Sequence, residues 1–197
     1  MYKNSLTIKI LKMKIGIIGA GSIGTTIAKH LTEAGYDVVL SNSRGAHTLT
    51  EKVKEIGGNS SAGSVQEAAK ADVVFLAVRW ENAEEALSGI SLQGKILIDA
   101  TNASVTEFVV AEPGSKTSSE VISQWAEGTK VVKAFNTLYA HVLAENPHVS
   151  GGNRVIFYSG NDVDAKAVVL GIINHIGFAG VDLGSLHEGG KLQRFPG

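Results

Sequence analysis

The chain has 197 residues, of which 44% are hydrophobic, 18 are Lys or Arg and 19 are Asp or Glu, and it contains no cysteine. A formal net charge of -1 offers no basic surface to a nucleic acid, and the lack of cysteine excludes a disulfide framework, a thiol nucleophile and a thiolate metal site. The longest apolar stretches, such as residues 73–78, are much shorter than the roughly 18 to 20 residues that a membrane-spanning helix needs.

Short runs rich in Val and Ile alternate with segments of helical periodicity, which predicts parallel strands joined by crossover helices. The predicted strands cover residues 14–18, 37–41, 59–62, 72–78, 95–98, 130–134, 154–159 and 179–183. The predicted helices cover residues 22–34, 48–56, 82–87, 138–144 and 163–175, and two more begin at the capping boxes Ser64/Glu67 and Thr117/Glu120. Residues 103–114 are predicted to form a loop, and the residues after 183 a polar tail.

This order of elements predicts an α/β fold with a doubly wound, mostly parallel sheet of the Rossmann type and a short carboxyl-terminal αβαβ elaboration. We predict an extension over residues 1–12, a dinucleotide-binding core over 13–135 and an elaboration of the same domain over 136–197. Met13 is an alternative start, and the end at Gly197 suggests a truncated chain. Lysines interrupt the apolar positions of residues 1–12, as they would not in a secretory signal, so we expect a cytoplasmic protein.

A glycine-rich loop separates the first predicted strand from the first predicted helix, and it fits the pattern G-x-G-x-x-G. The first glycine permits a tight turn, the second lets the backbone approach a diphosphate, and the third lets the helix pack on the strand. Free N–H groups at the start of the helix, together with the positive end of its dipole, form an anion site. The predicted dinucleotide contacts in this loop are Gly19, Gly21, Ser22, Ile23 and Gly24.

The residues after the second predicted strand indicate which dinucleotide binds. Enzymes that use NAD usually carry an acidic residue here, which binds the 2′-hydroxyl of the adenosine ribose. This chain carries Asn42, Ser43 and Arg44 instead, which offer side-chain donors and a guanidinium to a 2′-phosphate. We therefore expect NADP as the cofactor.

The loops after the later strands are predicted to surround the nicotinamide, because ligands cross the carboxyl edge of a doubly wound sheet at its switch point. The residues predicted to contact the cofactor here are Ala77, Val78 and Asn102, and those predicted to line the substrate pocket are Trp80, Asn136 and Thr137. Trp80 is either a wall for a planar ring or a packing residue, and the two asparagines either bind ligand or cap turns. The pattern identifies no catalytic acid or base and predicts no metal site.

With these residues, the chain resembles the family of coenzyme F420-dependent NADP oxidoreductases, a group of predicted dinucleotide-binding enzymes. The resemblance rests on the glycine loop and on segments at residues 42–45, 76–78, 98–102, 132–137 and 158–162. It implies direct hydride transfer between the nicotinamide of NADP and a small acceptor, either coenzyme F420 or another flavin-like compound. Ser43 and Arg44 match the family's 2′-phosphate contacts, whereas Thr48 stands where some members carry a lysine.

Two other functions stay open. One is a small hydroxyacid or imine reductase, although those enzymes usually append a long helical domain for which this chain is too short. The other is a non-catalytic NADPH-binding sensor, because a fold does not guarantee an activity. The expected partner is a small-molecule hydride donor or acceptor, not a nucleic acid or a membrane. A homodimer that completes the open side of the cleft is compatible with this interpretation.

Overall fold

A computed structural model describes residues 13–103 and 116–194 of the chain. The strands of this part are β1 Lys14–Ile18, β2 Asp37–Ser41, β3 Ser60–Gly63, β4 Val73–Leu76, β5 Ile96–Asp99, β6 Lys130–Ala134, β7 His148–Val149, β8 Gly152–Asn153, β9 Val155–Gly160 and β10 Ala179–Asp182. Its helices are α1 Ser22–Glu33, α2 Thr50–Ile56, α3 Val65–Ala68, α4 Ala83–Leu87, α5 Ser118–Trp125, α6 Ala140–Leu143, α7 Val163–His175 and α8 Leu186–Leu192. Single 3-10 turns at Ala46–Leu49 and Trp80–Asn82 precede α2 and α4.

Eight strands of the described residues form one sheet in the order β10-β9-β6-β5-β4-β1-β2-β3, and β7 and β8 form a separate hairpin. Strands β1 to β6 are parallel, whereas β9 runs antiparallel to β6 and pairs in parallel with β10. This architecture confirms the predicted doubly wound, mostly parallel sheet. The chain extends from β1 to β2 and β3 on one side and continues with β4, β5 and β6 on the other, so the switch point lies between the carboxyl ends of β1 and β4.

The core lies on both faces of the sheet. In β4, Val73 and Phe75 belong to the cluster on one face and Val74 and Leu76 to the cluster on the other, and all four are fully buried. Because side chains alternate along a strand, this pattern requires helices on both faces. Helices α1, α2, α6 and α7 contribute to the first cluster, and α3, α4, α5 and α8 to the second. Within residues 13–103 and 116–194, no helix combines the length and the apolar character needed to cross a membrane.

Most predicted elements are present, with ends that differ by a few residues. Helix α7 has the predicted ends, whereas the predicted helix over residues 48–56 is divided into a 3-10 turn and α2. Both predicted capping boxes are present, at the starts of α3 and α5. The predicted extension over residues 1–12 and the segment 104–114 of the predicted loop lie outside the described residues.

The prediction of a polar tail after residue 183 is wrong, because α8 forms there. Its N-cap is Ser185, whose hydroxyl accepts a hydrogen bond from the backbone N–H of Glu188 at 3.1 Å. Gly189 and Gly190 pack so closely against β9 and the start of α5 that a Cβ at either position would be in steric conflict. The glycines of this segment therefore let a helix dock on the sheet.

Candidate functional site

The loop between β1 and α1 has a conformation that only glycine fits at two positions. Gly19 has a φ of 114°, and a Cβ there would overlap the carbonyl oxygen of Ala77. A Cβ on Gly24 would overlap the carbonyl oxygen of Gly19. The backbone N–H of Gly19 also donates to the carbonyl of Ser41 at 3.0 Å. The loop is therefore fixed between the ends of β2 and β4, at the switch point of the sheet.

Gly21, the N-cap of α1, faces open space. A Cβ at this position would meet no atom within 4 Å, and no side chain caps the helix. The first backbone N–H groups of α1, on Ser22 and Ile23, have no hydrogen-bond acceptor within the part of the chain that the structure describes. The positive end of a 12-residue helix is thus open to an anion.

A cleft of about 800 Å³ opens in front of this loop. Its walls include Gly21 and Thr25 near the start of α1, Lys52 of α2, and Tyr139 and His141 near the start of α6. The Nζ atom of Lys52 lies 3.5 Å from the Oγ1 atom of Thr25, beside the first turn of α1. The rings of Tyr139 and His141 stack with their centroids 5.7 Å apart. The cleft therefore combines an open helix amino end with a cation and an aromatic surface.

Lys52 was not predicted from the sequence. Thr48 stands where some members of the family that the chain resembles carry a lysine, but its hydroxyl is hydrogen-bonded within its own loop, to the side chain of Asn42 at 2.9 Å and to the carbonyl of Gly45 at 2.8 Å. Lys52 lies four residues further along the chain, about one helical turn, and that spacing is the feature of the sequence that points to it.

The loop after β2 presents two side chains outward. Asn42 is committed to the loop itself, because its Oδ1 accepts a hydrogen bond from the backbone N–H of Arg44 at 3.0 Å and its Nδ2 donates to Thr48. Ser43 and Arg44 are exposed, and their side chains have no hydrogen-bond or ion-pair partner among the described residues. The structure thus leaves a hydroxyl and a guanidinium available at the end of β2. A direct contact of Asn42 with a phosphate stays a prediction.

Asn102 and Asn136 follow neighbouring strands, and the structure brings them together. The Nδ2 of Asn102 donates to the backbone carbonyl of Asn136 at 2.9 Å, and the Nδ2 of Asn136 donates to the Oδ1 of Asn102 at 2.9 Å. This reciprocal pair joins the loop after β5 to the loop after β6. Asn136 is buried and Asn102 is half-buried, so Asn102 is the member of the pair with side-chain surface left for a ligand.

A buried ion pair lies beneath these two loops, and sequence analysis did not identify it. The Lys133 ammonium lies 3.3 Å from the Asp99 carboxylate, and their side chains are 2% and 0% exposed. Asp99 also accepts hydrogen bonds from the Thr101 backbone N–H at 2.9 Å and from the Ser119 hydroxyl at 2.5 Å, while Lys133 donates to the Thr101 carbonyl at 3.1 Å. The pair therefore fixes the carboxyl ends of β5 and β6 relative to each other.

The loop after β6 contains a strained residue and an unsatisfied polar atom. Phe135 has a φ of 67°, a left-handed conformation that costs a non-glycine residue about 1–3 kcal/mol. Its ring is fully buried and packs edge-on against Phe75, with centroids 5.4 Å apart. Two residues later, the buried Oγ1 of Thr137 has no hydrogen-bond partner among the described residues. Strain and an unpartnered donor at the carboxyl edge of such a sheet are typical of a ligand site.

The loop after β4 contributes backbone and packing. The backbone N–H of Ala77 donates to the carbonyl of Ile18 at 2.8 Å, which keeps Ala77 and Val78 against the glycine loop. Trp80 is 8% exposed, and its ring packs against Trp125 with centroids 5.2 Å apart. This burial agrees with the packing interpretation of Trp80, and a role in the substrate pocket stays a prediction.

Along the carboxyl edge of the sheet lies a row of groups that we call the groove: it runs from Ser43 and Arg44 after β2, past the open N–H groups of α1, to Asn102 and Thr137 after β5 and β6. A guanidinium at one end and open N–H groups in the middle suit a ligand that carries negative charge in both places. Nothing in residues 13–103 and 116–194 brings three His, Asp or Glu side chains together to hold a metal ion.

Comparison with known proteins gives consistent matches. Residues 14–103 match the family described as NADP oxidoreductase coenzyme F420-dependent. The structure of a hypothetical protein from Sinorhizobium meliloti is 38% identical, covers 98% of this chain and 94% of its own, and superposes with a TM-score of 0.85. The structure of a candidate F420-dependent NADP-reductase from Arthrobacter sp. FB24 is 25% identical, covers 92% of this chain and 89% of its own, and superposes with a TM-score of 0.73.

A curated relative extends the similarity to a different kind of reductase. The metalloreductase STEAP3 of Rattus norvegicus is 28% identical over 186 residues, which make up 93% of this chain and 36% of that protein. The chain therefore spans about a third of the length of this curated relative.

Proposed function

The chain belongs, through residues 14–103, to the family of coenzyme F420-dependent NADP oxidoreductases, and on this premise we propose that it transfers a hydride between NADP(H) and a small acceptor. The acceptor is coenzyme F420 or another flavin-like compound. The observation that carries the proposal is the open backbone at Gly21, where the uncapped amino end of α1 faces a cleft at the switch point of the sheet.

The residues around the groove fit the cofactor part by part. Ser22 and Ile23, together with the Lys52 ammonium 3.5 Å from the Thr25 hydroxyl of the same helix, offer donors for the diphosphate. The exposed side chains of Ser43 and Arg44 offer donors for the 2′-phosphate. At the opposite end, the side chain of Asn102 and the unsatisfied hydroxyl of Thr137 are the groups that would hold the nicotinamide carboxamide. Ala77 and Val78, held against the glycine loop by the hydrogen bond from Ala77 to Ile18, are the residues that we expect beneath the cofactor between the two ends.

In the proposed reaction, the residues of this chain position the nicotinamide and the acceptor relative to each other. NADPH, when bound, supplies the hydride, and such a transfer requires the two reacting atoms to be about 3 to 3.5 Å apart more than it requires an acid or a base. The Asp99–Lys133 pair and the reciprocal Asn102–Asn136 pair hold the loops after β5 and β6 in a single arrangement. A rigid edge of this kind keeps the nicotinamide end of the groove in one shape.

Acceptor screening tests the proposal directly. The protein is mixed with NADPH and, in separate reactions, with coenzyme F420, FMN, a quinone, a ferric chelate, a cyclic imine and an oxidised hydroxyacid, and the absorbance of the reduced nicotinamide is followed. Rapid loss of absorbance with F420 or FMN is the expected result. Turnover of only the imine or the oxidised hydroxyacid would favour the second enzyme class, and tight NADPH binding without turnover of any acceptor would favour a sensor.

Two glycine substitutions in the G-x-G-x-x-G segment are expected to change different properties, one the affinity for NADPH and the other the stability of the fold. Gly21→Ala should change the free energy of unfolding by about 1 kcal/mol or less, because the added Cβ meets no atom within 4 Å. It should nevertheless weaken NADPH binding at least about tenfold, because the methyl group occupies the space that the diphosphate needs. Gly24→Ala is the comparison variant and should lower the melting temperature, since its Cβ overlaps the Gly19 carbonyl.

Thermal denaturation and fluorescence titration with NADPH measure both effects on the same samples. If Gly21→Ala bound NADPH as tightly as the wild type, the diphosphate could not lie at this position.

A further inference from the structure

Gln193, directly after α8, is a fully buried amide whose side chain is hydrogen-bonded on every side. Its Oε1 accepts a hydrogen bond from the Ser159 hydroxyl at 2.6 Å. Its Nε2 lies within donor distance of the Phe157 carbonyl at 3.1 Å, the Asn136 Oδ1 at 3.3 Å and the Lys133 carbonyl at 3.4 Å. One side chain therefore connects β9 and β6 to the loop that follows β6.

The backbone of Gln193 binds the same loop a second time. Its carbonyl oxygen accepts a hydrogen bond from the Nδ2 of Asn136 at 2.6 Å. The Asn136 amide thus donates to Gln193 through its nitrogen and accepts from Gln193 through its oxygen, while its nitrogen also reaches Asn102. Gln193 is consequently the outer end of a chain of amides that runs through Asn136 to the half-buried Asn102.

The loop after β6, which Gln193 contacts, contains a strained residue. Phe135 adopts its left-handed conformation immediately before Asn136, and such a conformation persists only where the surrounding structure holds it. Thr137, with its unpartnered buried hydroxyl, follows immediately after Asn136. The position of Asn136 therefore determines where the Thr137 hydroxyl and the Asn102 amide are presented.

Helix α8 is attached to α5 at its other end, which keeps Gln193 in place. The Thr117 hydroxyl donates to the carbonyl of Leu186 at 3.0 Å, and the Nδ1 of His187 lies 3.2 Å from the Glu120 carboxylate. Burial opposes ionisation of Glu120, but hydrogen bonds from Thr117 and His187 outweigh it and keep the pKa of this carboxyl below its usual value. The charged carboxylate is thus the form that joins the two helices.

We infer that Gln193 is a positioning residue for the nicotinamide end of the groove, acting through Asn136 on Asn102 and Thr137. The inference rests on the proposed function, since it takes NADP(H) as the ligand. It assigns a task to the carboxyl-terminal helix, which lies outside the residues 14–103 that match the family. Its effect is confined to one half of the ligand, because Ser43 and Arg44 follow β2, on the opposite side of β1 from β5 and β6.

The test compares Gln193→Met in the full chain with Ser159→Ala. Gln193→Met keeps the length of the side chain and removes its Nε2 hydrogen bond to Asn136, while the backbone carbonyl at this position can still accept from Asn136. Ser159→Ala removes a hydrogen bond to the same side chain and leaves both bonds to Asn136 intact. Two ligands are titrated by calorimetry: NADPH, and adenosine 2′,5′-bisphosphate, which lacks the nicotinamide half. Gln193→Met is expected to lower the affinity for NADPH about tenfold and to leave the affinity for the bisphosphate unchanged. Ser159→Ala should change neither affinity.

If Gln193→Met does not fold, Gln193→Asn replaces it, because this variant retains an amide that is one methylene too short to reach Asn136. Unchanged NADPH affinity in a folded variant, or equal weakening of both ligands, would overturn the inference. Failure of the wild-type protein to bind the bisphosphate would instead contradict the proposed function, so the two failures are distinguishable.

Discussion

Arg44→Ala is expected to weaken NADPH binding by about ten- to a hundredfold, because a charge-assisted hydrogen bond to a phosphate contributes about 1.5–3 kcal/mol. NADH lacks the 2′-phosphate, so its affinity should not change. The reason lies in the exposed position of Arg44 at the end of β2, next to Ser43 and on a loop whose shape Asn42 maintains. Titration of both dinucleotides into the wild type and the variant measures the difference.

Lys54→Ala is the matched control for Arg44→Ala. Lys54 is an exposed cation on α2 that pairs with Glu51 at 2.7 Å, so its removal changes the net charge equally without removing a donor from the loop after β2. It should leave NADPH affinity unchanged, since the Lys54 ammonium is already paired with Glu51 and exposed charges are screened by salt. Equal and weak affinities for NADPH and NADH in both wild type and Arg44→Ala would contradict the assignment of NADP.

Lys133→Met is expected to lower the free energy of unfolding by about 3–5 kcal/mol, because it leaves the Asp99 carboxylate buried without its cation. Hydrogen bonds from Thr101 and Ser119 remain, but they do not neutralise the charge. Urea denaturation of the wild type and the variant measures the loss. The same change should also loosen the ends of β5 and β6 at the site.

The double variant Asp99→Asn/Lys133→Met separates a charge effect from a packing effect. It removes both charges and keeps an acceptor for Thr101, so it should be more stable than Lys133→Met alone. If Lys133→Met lowered the free energy of unfolding by less than about 1 kcal/mol, or if the double variant were the less stable of the two, Lys133 would not stabilise the buried Asp99 carboxylate.

Local patterns in the sequence were sufficient to predict the parallel sheet, the glycine loop and the ends of α7. Buried strands and amphipathic helices leave a periodicity in the chain, and G-x-G-x-x-G has a defined place between them. The same kind of pattern was present for α8, where Ser185 and Glu188 have the spacing of a helix start. Two glycines there favoured a loop, because their close packing against β9 and the start of α5 is a tertiary effect that no local pattern shows.

The residues that sequence analysis missed depend on contacts between distant parts of the chain. Asp99 and Lys133 are direct neighbours in the register of β5 and β6, although 34 positions separate them. Gln193 contacts Asn136 across 57 positions. No local pattern relates such residues, since they meet only when the sheet order and register are fixed. For the same reason the burial of Trp80 against Trp125 required the structure.

A crystal structure of the protein with NADP⁺ tests the central claim most directly. We expect the diphosphate on the N–H groups of Ser22 and Ile23, the 2′-phosphate against Ser43 and Arg44, and the nicotinamide beside Asn102 and Thr137. A cofactor bound elsewhere, or a groove that stays empty at saturating NADP⁺, would contradict it.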